Sequence, residues 1–518
     1  MRLVPILTNR RYTFLFFWSI ATAARLIVWV ALPLDWNSDS FHHWQISFWT
    51  LKVGLPRGRM WDLNGCEYYW GVVPHLVQAS VLGFLSTSSI LPLRALNMML
   101  GGVNAYLVYL IGRDNFSWRV GLYAGLMLAL YPVAAVFDVI AMQETIALML
   151  ALVSVQTFRT HPWVSGVFLA VACQSRIEFW LVSIIFVSCV VLVHRFSEKV
   201  LPFIISWTVV TLAFCLLFRV WTSNPVYPLY WSLYNVFGGW TPEGYGLPIQ
   251  DLMLRYVSAK LTAWVGKPTG LALIAAGIFF LYVLARQLRG RIRSHVLLFF
   301  SIVLIVFAPL FVTYYPGQIS NLLLMLRMSI PIFALGSVLL VTFLLKAQLR
   351  LLGGRLKALH LEKVTVALII ISYAYFIPAY DTFQVDPASA FVAVDVAMAY
   401  YRGGTVVCDY PTMNYRLVSH WGIDASSVLG NHYAPHYYGI TDPVEFARWF
   451  HANNVTLWIN AGNRALPVLR IVSKGLPGLL VRRGEVNGVE IYEIDEESLM
   501  RIISEGEEST AGRLDASG

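Results

Sequence analysis

Residues 12–44 read YTFLFFWSIATAARLIVWVALPLDWNSDSFHHW, and the change of character at Pro33 decides the fold. From Tyr12 to Pro33 the only charge is Arg25, and a spanning helix needs roughly 20 predominantly apolar residues. Beyond Pro33 the chain turns at once acidic, aromatic and rich in histidine. That switch is what a crossing segment shows where it reaches an interface. The run follows Arg10-Arg11 and has no small-residue cleavage site before Asp35, so it reads as a retained first helix and not as a signal peptide.

The rest of the chain repeats this pattern. It has 518 residues, 58% hydrophobic and 13% charged, with a mean hydropathy of +0.63. Soluble domains have about 25% charged residues, so a bilayer is the natural solvent for most of this protein. The net charge of +9 is spread between apolar runs instead of being gathered on a polar domain. Positive-inside anchoring accounts for it, and no nucleic-acid partner is implied. Cys66, Cys173, Cys189, Cys215 and Cys408 lack paired spacing, which excludes a disulfide framework or a zinc site.

Counting crossings from a cytoplasmic N-terminus predicts about 11 transmembrane helices. The first outer loop covers 35–70, and its Trp36, Trp44, Trp49, Trp61 and Trp70 suit helices lying at the interface. Gly71 to Ile111 is read as one net crossing plus a short or re-entrant piece, which keeps Arg113 and Arg119 inside. Outward and inward runs then alternate through Val120–Val136, Ile146–Phe158, Val164–Cys173, Leu181–Val193, Leu201–Trp221, Gly270–Leu284, Val296–Thr313, Leu322–Leu345 and Val364–Tyr380. A second long outer loop, rich in Pro, Tyr and Trp, covers 222–262. The acidic residues that interrupt the runs then share one, extracytoplasmic, side of the plasma membrane.

Residues 1–380 are therefore expected to form a mainly α, polytopic catalytic domain. Residues 381–494 have the composition of a small α/β domain on the outer face. Thr405–Cys408 and Val455–Ile459 read as buried strands, Pro387–Tyr401 and Pro443–Ala452 as helices, and Leu479–Arg482 with Val489–Ile494 as a hairpin. The tail from 495 to 518, acidic and rich in Ser and Gly, is expected to be disordered. No internal repeat is visible.

The chemistry-bearing residues sit where the apolar runs break. In Ser38-Asp39-Ser-Phe-His42-His43, a helix places Asp39, His42 and His43 on one face. Asp39 there either accepts a proton or helps hold a metal, or it caps an interfacial helix, and these roles can coexist. Asp138 and Glu144 lie at membrane edges, where ionisable groups are functional by default, with snorkelling as the plain alternative for Glu144. Arg176 and Glu178, two apart, point in opposite directions on a regular helix, so a shared task requires an irregular turn. Arg327, about 9 Å down its expected helix at 1.5 Å per residue, either snorkels or offers a fork to a phosphate oxygen. Arg25 raises the same question, with helix pairing as the better reading. Tyr314 and Tyr315 belong to an aromatic set suited to stacking on sugar faces, which is also the set that interfaces attract. His42, His43 and His75 are too few and too loosely spaced for a transition-metal site. There is no Walker loop, no Gly-x-Gly-x-x-Gly after a strand, no Gly-x-Ser-x-Gly and no His-Glu-x-x-His.

In their order along residues 12–380, these pieces resemble the GT-C superfamily of polytopic glycosyltransferases, which includes protein O-mannosyltransferases and the aminoarabinose transferases of lipid A. The matching stretches are Ser38-Asp39-Ser40, Tyr68-Tyr69-Trp70-Gly71-Val-Val-Pro74, Gln143-Glu144-Thr145, Ser175-Arg176-Ile-Glu178 and Arg327-Met-Ser-Ile-Pro331. The resemblance implies transfer of a sugar from a polyprenyl-phosphate carrier to a protein, lipid or glycan acceptor, usually with inversion. It implies Asp39 as the base and Arg327 with Arg176 as holders of the donor phosphate. Glu144 and Glu178 would line the same cavity, and His42, His43, Tyr314 and Tyr315 are the further candidates for substrate binding. It implies a divalent metal, Mg or Mn, for some members and none for others. Many relatives carry an Asp-Glu pair in the first loop, whereas here Ser40 follows Asp39. Two other readings are a secondary transporter and a non-catalytic protein of envelope polysaccharide assembly. The absence of internal duplication and the long outer loop speak against the transporter.

Overall fold

The computed structural model describes residues 10–32, 35, 38–53, 71–194, 198, 200–237, 247–255, 268–311, 326–351, 361–381, 387–408, 410–430, 440, 442–460 and 478–515. The chain divides into two compact units, one of residues 1–34, 68–74 and 91–383, the other of residues 35–67, 75–90 and 384–518.

The first unit is helical. Its helices are α1 (Arg10–Ala31), then, after α2 (Ser38–Val53) and α3 (Val73–Phe84), α4 (Leu91–Asn115), α5 (Trp118–Ala129), α6 (Pro132–Val139), α7 (Glu144–Thr157), α8 (Pro162–Cys173) and α9 (Glu178–His194). They continue as α10 (Val200–Thr222), α11 (Tyr227–Val236), α12 (Pro268–Leu288), α13 (His295–Phe311), α14 (Ser329–Leu351) and α15 (Leu361–Asp381). Local chemistry sets the breaks. Ser117 caps α5 by accepting from the Val120 N–H. Pro132 and Pro162 open α6 and α8, where a missing N–H costs nothing.

Among the described residues six helices, α1, α4, α10, α12, α14 and α15, are long and apolar enough to cross a membrane, and the unit is that of an integral membrane protein. The pair α5 and α6, bent by 52° at Leu130-Tyr131, makes a seventh if it counts as one span. The expectation of about 11 refers to the whole chain, and parts of its runs Val296–Thr313 and Leu322–Leu345 lie outside the described residues. Two of the expected crossings are α7 and α8, with 14 and 12 residues. At 1.5 Å per residue they reach about 21 and 18 Å, short of a hydrocarbon core of about 30 Å.

The second unit joins α2 and most of α3 to the C-terminal residues. Its sheet has the order β2-β1-β3-β5-β4, built from β1 (Thr405–Cys408), β2 (Val428–Gly430), β3 (Val455–Asn460), β4 (Leu480–Val486) and β5 (Val489–Ile494). β1 runs parallel to both β2 and β3, while β5 is antiparallel to β3 and β4. The helices are α16 (Pro387–Met398), α17 (Pro411–Ser419), α18 (Pro443–Ala452) and α19 (Glu496–Asp515). Phe446, Phe450 and Trp458 pack the core between α18 and β3.

Two expectations change here. Residues 496–515, expected to be disordered, form α19, because Leu499, Ile502 and Ile503 recur at helical spacing and pack on that core. Trp44 and Trp49, expected at a membrane interface, are buried to 0% and 1% exposure. Trp44 meets Tyr415 edge-on at 4.8 Å and donates its indole N–H to the Ser88 carbonyl at 2.9 Å. Gln45 accepts from the Asn414 amide at 3.5 Å. The described part of the first loop, α2, is thus core to the second unit.

Candidate functional site

In the first unit, buried charges from three separated segments meet at one place. Gln174 and Ser175 end α8 in a turn, and Arg176 stands outside any regular element before Glu178 opens α9. This irregular turn swings two residues that a helix would set apart onto each other. Arg176 donates from Nε to Glu178 Oε2 at 2.9 Å and from Nη2 to Glu178 Oε1 at 2.5 Å. Its Nη1 donates to Glu144 Oε1, and Nη2 also reaches the Met328 sulfur at 3.8 Å. Arg327 Nε lies 3.5 Å from the same Glu144 oxygen. All four charged residues are at most 9% exposed.

Each carboxylate stands where a helix favours it. Glu144 is the first residue of α7 and Glu178 the first of α9, so both face the positive end of a helix dipole. The turn that delivers Glu144 contains Ala141 at φ 66°. It is pinned from α4, where Asn97 donates to the Met142 carbonyl at 2.6 Å and Asn104 to the Thr145 carbonyl at 3.0 Å. Asn97, Gly101 and Asn104 form one stripe at i, i+4 and i+7.

A second buried pair adjoins the first through Thr145. Arg25 contacts Asp138 from Nε at 2.7 Å and from Nη2 at 2.6 Å. The Thr145 hydroxyl donates to the other Asp138 oxygen. Arg25 Nη1 also donates to the carbonyls of Ala21, at 2.9 Å, and Ala129, at 2.8 Å, tying α1 to α5. Gly101 faces this pair: a Cβ there would stand 2.3 Å from both Arg25 Nε and Asp138 Oδ2. Three guanidinium groups thus face three carboxylates, and the cluster is neutral overall.

Arg327 departs from expectation. It lies with Met328 in a two-residue turn between helical Leu326 and the start of α14 at Ser329, where the expected helix is interrupted. Pro331 in the first turn of α14 sets that start. Asp39, His42 and His43 belong to the second unit, on α2. Asp39 is half-buried near the start of α2, while His42 and His43 are buried. His43 Nδ1 lies 3.0 Å from His75 Nε2, and Ser47 donates to Gln78 at 2.8 Å. Tyr314 and Tyr315 lie outside the described residues. Asn97, Asn104 and Gln174 also belong to the site, although no motif in the sequence marks them. The spacing of seven between the two asparagines of an apolar helix is the signal they leave. Both amide atoms of the buried Gln174 side chain lack a hydrogen-bond partner among the described residues.

A magnesium or manganese ion, which the resemblance implies for some members of the superfamily, demands several oxygen ligands in octahedral array. Arg176 engages one oxygen of Glu144 and both of Glu178, and the nearest nitrogens of His43 and His75 face each other. Among the described residues no three His, Cys, Asp or Glu side chains are grouped for a metal. What the cluster can do is hold one guanidinium group rigidly against carboxylates and present a second, on a turn, to an anion.

No protein-family model matches the chain, and no curated protein sequence matches it. Among solved structures it is similar to the apo oligosaccharyltransferase of Archaeoglobus fulgidus, at 13% identity over 93% of this chain and 74% of that one, with a TM-score of 0.49. It is also similar to the oligosaccharyltransferase AglB of that organism in complex with an inhibitory peptide and a dolichol-phosphate (12%, 86% and 69%, TM-score 0.46). A third is ArnT from Cupriavidus metallidurans bound to undecaprenyl phosphate (12%, 93% and 98%, TM-score 0.43). These neighbours are GT-C membrane glycosyltransferases, the superfamily that the sequence resembles. At such identities and scores, what they bind or transfer says nothing by itself about this chain.

Proposed function

We infer that this protein is a membrane glycosyltransferase that moves a sugar from a polyprenyl-phosphate donor to an acceptor on the extracytoplasmic side, with inversion. One observation carries the reading: Glu144, Arg176, Glu178 and Arg327, each in a stretch where the sequence resembles the GT-C enzymes, are brought together and buried. The two arginines then take different parts. Arg176 binds both Glu144 and Glu178 and reaches the Met328 sulfur, so it braces the site. Arg327, on a turn and in looser contact with Glu144, is the group that receives the donor phosphate.

The step is a single displacement. The acceptor hydroxyl attacks the anomeric carbon as the bond from that carbon to the phosphate oxygen breaks. The electron pair leaves with the polyprenyl phosphate, and the acceptor proton passes to the Asp39 carboxylate. Holding both partners in line supplies roughly 7–11 kcal/mol. A guanidinium aimed at the departing phosphate adds about 3–4 kcal/mol, on the scale of one oxyanion-hole donor. No step is assigned to a metal.

The test gives the purified, reconstituted protein a panel of polyprenyl-phosphate sugars and measures release of polyprenyl phosphate. Turnover that falls in Arg327→Ala with weakened donor binding supports the reading. Movement of a substrate across the membrane without cleavage would instead mark a transporter, and neither cleavage nor movement an assembly protein.

A further inference from the structure

The reading so far leaves unused the arginines at one end of the helical unit. α12 ends at Leu288, and Gly290, at φ 66°, lets the chain turn back: the Gly290 N–H donates to the Gln287 carbonyl at 2.9 Å and the Arg291 N–H to the Arg286 carbonyl at 3.0 Å. This closure of a helix through a left-handed glycine holds the following residues tightly over the helix end. Gln287 fixes the far side by donating to the Ser294 carbonyl at 2.8 Å. The turn from α7 to α8 joins it, with Arg159 Nη2 donating to the Arg293 carbonyl at 2.7 Å. Arg289, Arg291 and Arg293 are exposed, and Arg286 lies 5.8 Å over the Tyr282 ring. Arg286 Nε has no hydrogen-bond partner among the described residues.

Beneath these cations runs an apolar surface. Ile274, Ile278, Leu281 and Tyr282, at helical spacing along α12, each leave more than half of their surface exposed. Only 17% of the spanning window of α12 is buried. An uncovered apolar stripe that ends under a built cluster of guanidinium groups matches both halves of one kind of molecule: acyl chains along the stripe and a phosphodiester at its end.

We propose that the tip of α12, with Arg286, Arg289, Arg291, Arg293 and Arg159, is a binding surface that selects anionic phospholipids of the surrounding bilayer over zwitterionic ones. This goes beyond retention of basic loops on one side of the membrane, which requires only charge and no folded turn. It is also independent of the proposed sugar transfer, since it uses none of the same residues.

Native mass spectrometry of the full-length protein in detergent, titrated with phosphatidylglycerol or with phosphatidylcholine of the same acyl chains, tests it. The wild type retains phosphatidylglycerol in preference. In Arg289→Gln/Arg291→Gln/Arg293→Gln the preference falls by about fivefold per arginine, roughly 100-fold in all. A control that removes three exposed arginines elsewhere, Arg402→Gln/Arg448→Gln/Arg501→Gln, leaves it unchanged. If the glutamine triple fails to fold, the wild type itself decides: its preference must collapse between about 50 mM and 1 M salt as screening shortens. Equal retention of both lipids, an equal loss in the control, or a preference indifferent to salt overturns the proposal. Binding of soluble polyphosphate as tight as that of the lipid would assign the surface to a soluble polyanion and overturn it as well.

Discussion

Replacing Arg176 by methionine keeps most of the side-chain volume and removes the charge on which Glu144 and Glu178 converge. Removing one partner of a buried ion pair costs about 3–5 kcal/mol, because the other charge is left without compensation. Here two carboxylates lose contacts, yet the losses do not simply double. Glu144 keeps Arg327 at 3.5 Å. For Glu178 the loss is capped by the alternative of taking up a proton, which for an ordinary glutamate at pH 7 costs about 3.7 kcal/mol. The expected destabilisation is therefore about 4 kcal/mol. Equilibrium unfolding by SDS in mixed micelles measures it, on Arg176→Met and on Arg176→Met/Glu144→Gln/Glu178→Gln. The triple variant buries no stranded charge and should recover at least half of the loss. An Arg176→Met protein within about 1 kcal/mol of the wild type, the size of an unremarkable substitution, would refute the bracing role.

Asp39→Asn is expected to abolish sugar transfer while donor binding stays intact; wild-type turnover in that variant removes Asp39 from the mechanism. Gly101→Ala inserts a methyl group 2.3 Å from Arg25 Nε and Asp138 Oδ2. Overpacking of this kind costs about 1–3 kcal/mol, seen as a lower midpoint in the same micelle unfolding, whereas Gly277→Ala, with open space around its Cβ, should cost nothing. In the second unit, hydrogen bonds from Arg416, and then from the Trp421 indole, hold the Asp395 carboxyl below the usual aspartate range. A depressed value means stability fully present above about pH 5 and lost as pH falls below about 4. Its size is under about 1 kcal/mol because the pair is part-exposed. Hydrogen exchange at residues 411–421 in wild type and Asp395→Asn should differ at pH 7, and the difference should shrink as pH falls below about 4.

Much of the helical unit was legible because bilayer-length apolar runs announce themselves. The need for an irregular turn between Arg176 and Glu178 followed from helix geometry alone, and the turn is there. What stayed hidden is long-range pairing. Arg25 and Asp138 are 113 residues apart, and nothing local says that they meet. Leu322–Leu345 is apolar enough to read as one helix through Arg327, and hydropathy does not register a turn at Arg327-Met328. In the second unit β1 and β3 showed as β-branched apolar runs, while β2, three residues long, is below the length at which alternation can be read. α19 was masked by composition: acidic and small residues outnumber the three apolar positions that dock it. Trp44 and Trp49 misled for a related reason, since tryptophan suits both a membrane interface and a core.

The burial of α2 has a consequence for biosynthesis. Gln45 and Asn414, which contact each other, are separated by 369 residues. At about 5–20 residues per second, roughly 20–75 seconds of translation pass between them. For that interval Trp44, Phe41 and Trp49 have emerged while Tyr415, against which the first two pack, does not yet exist. The nascent chain therefore needs a caretaker for this aromatic segment, and a ribosome stalled before residue 411 should leave it open to protease or chaperone.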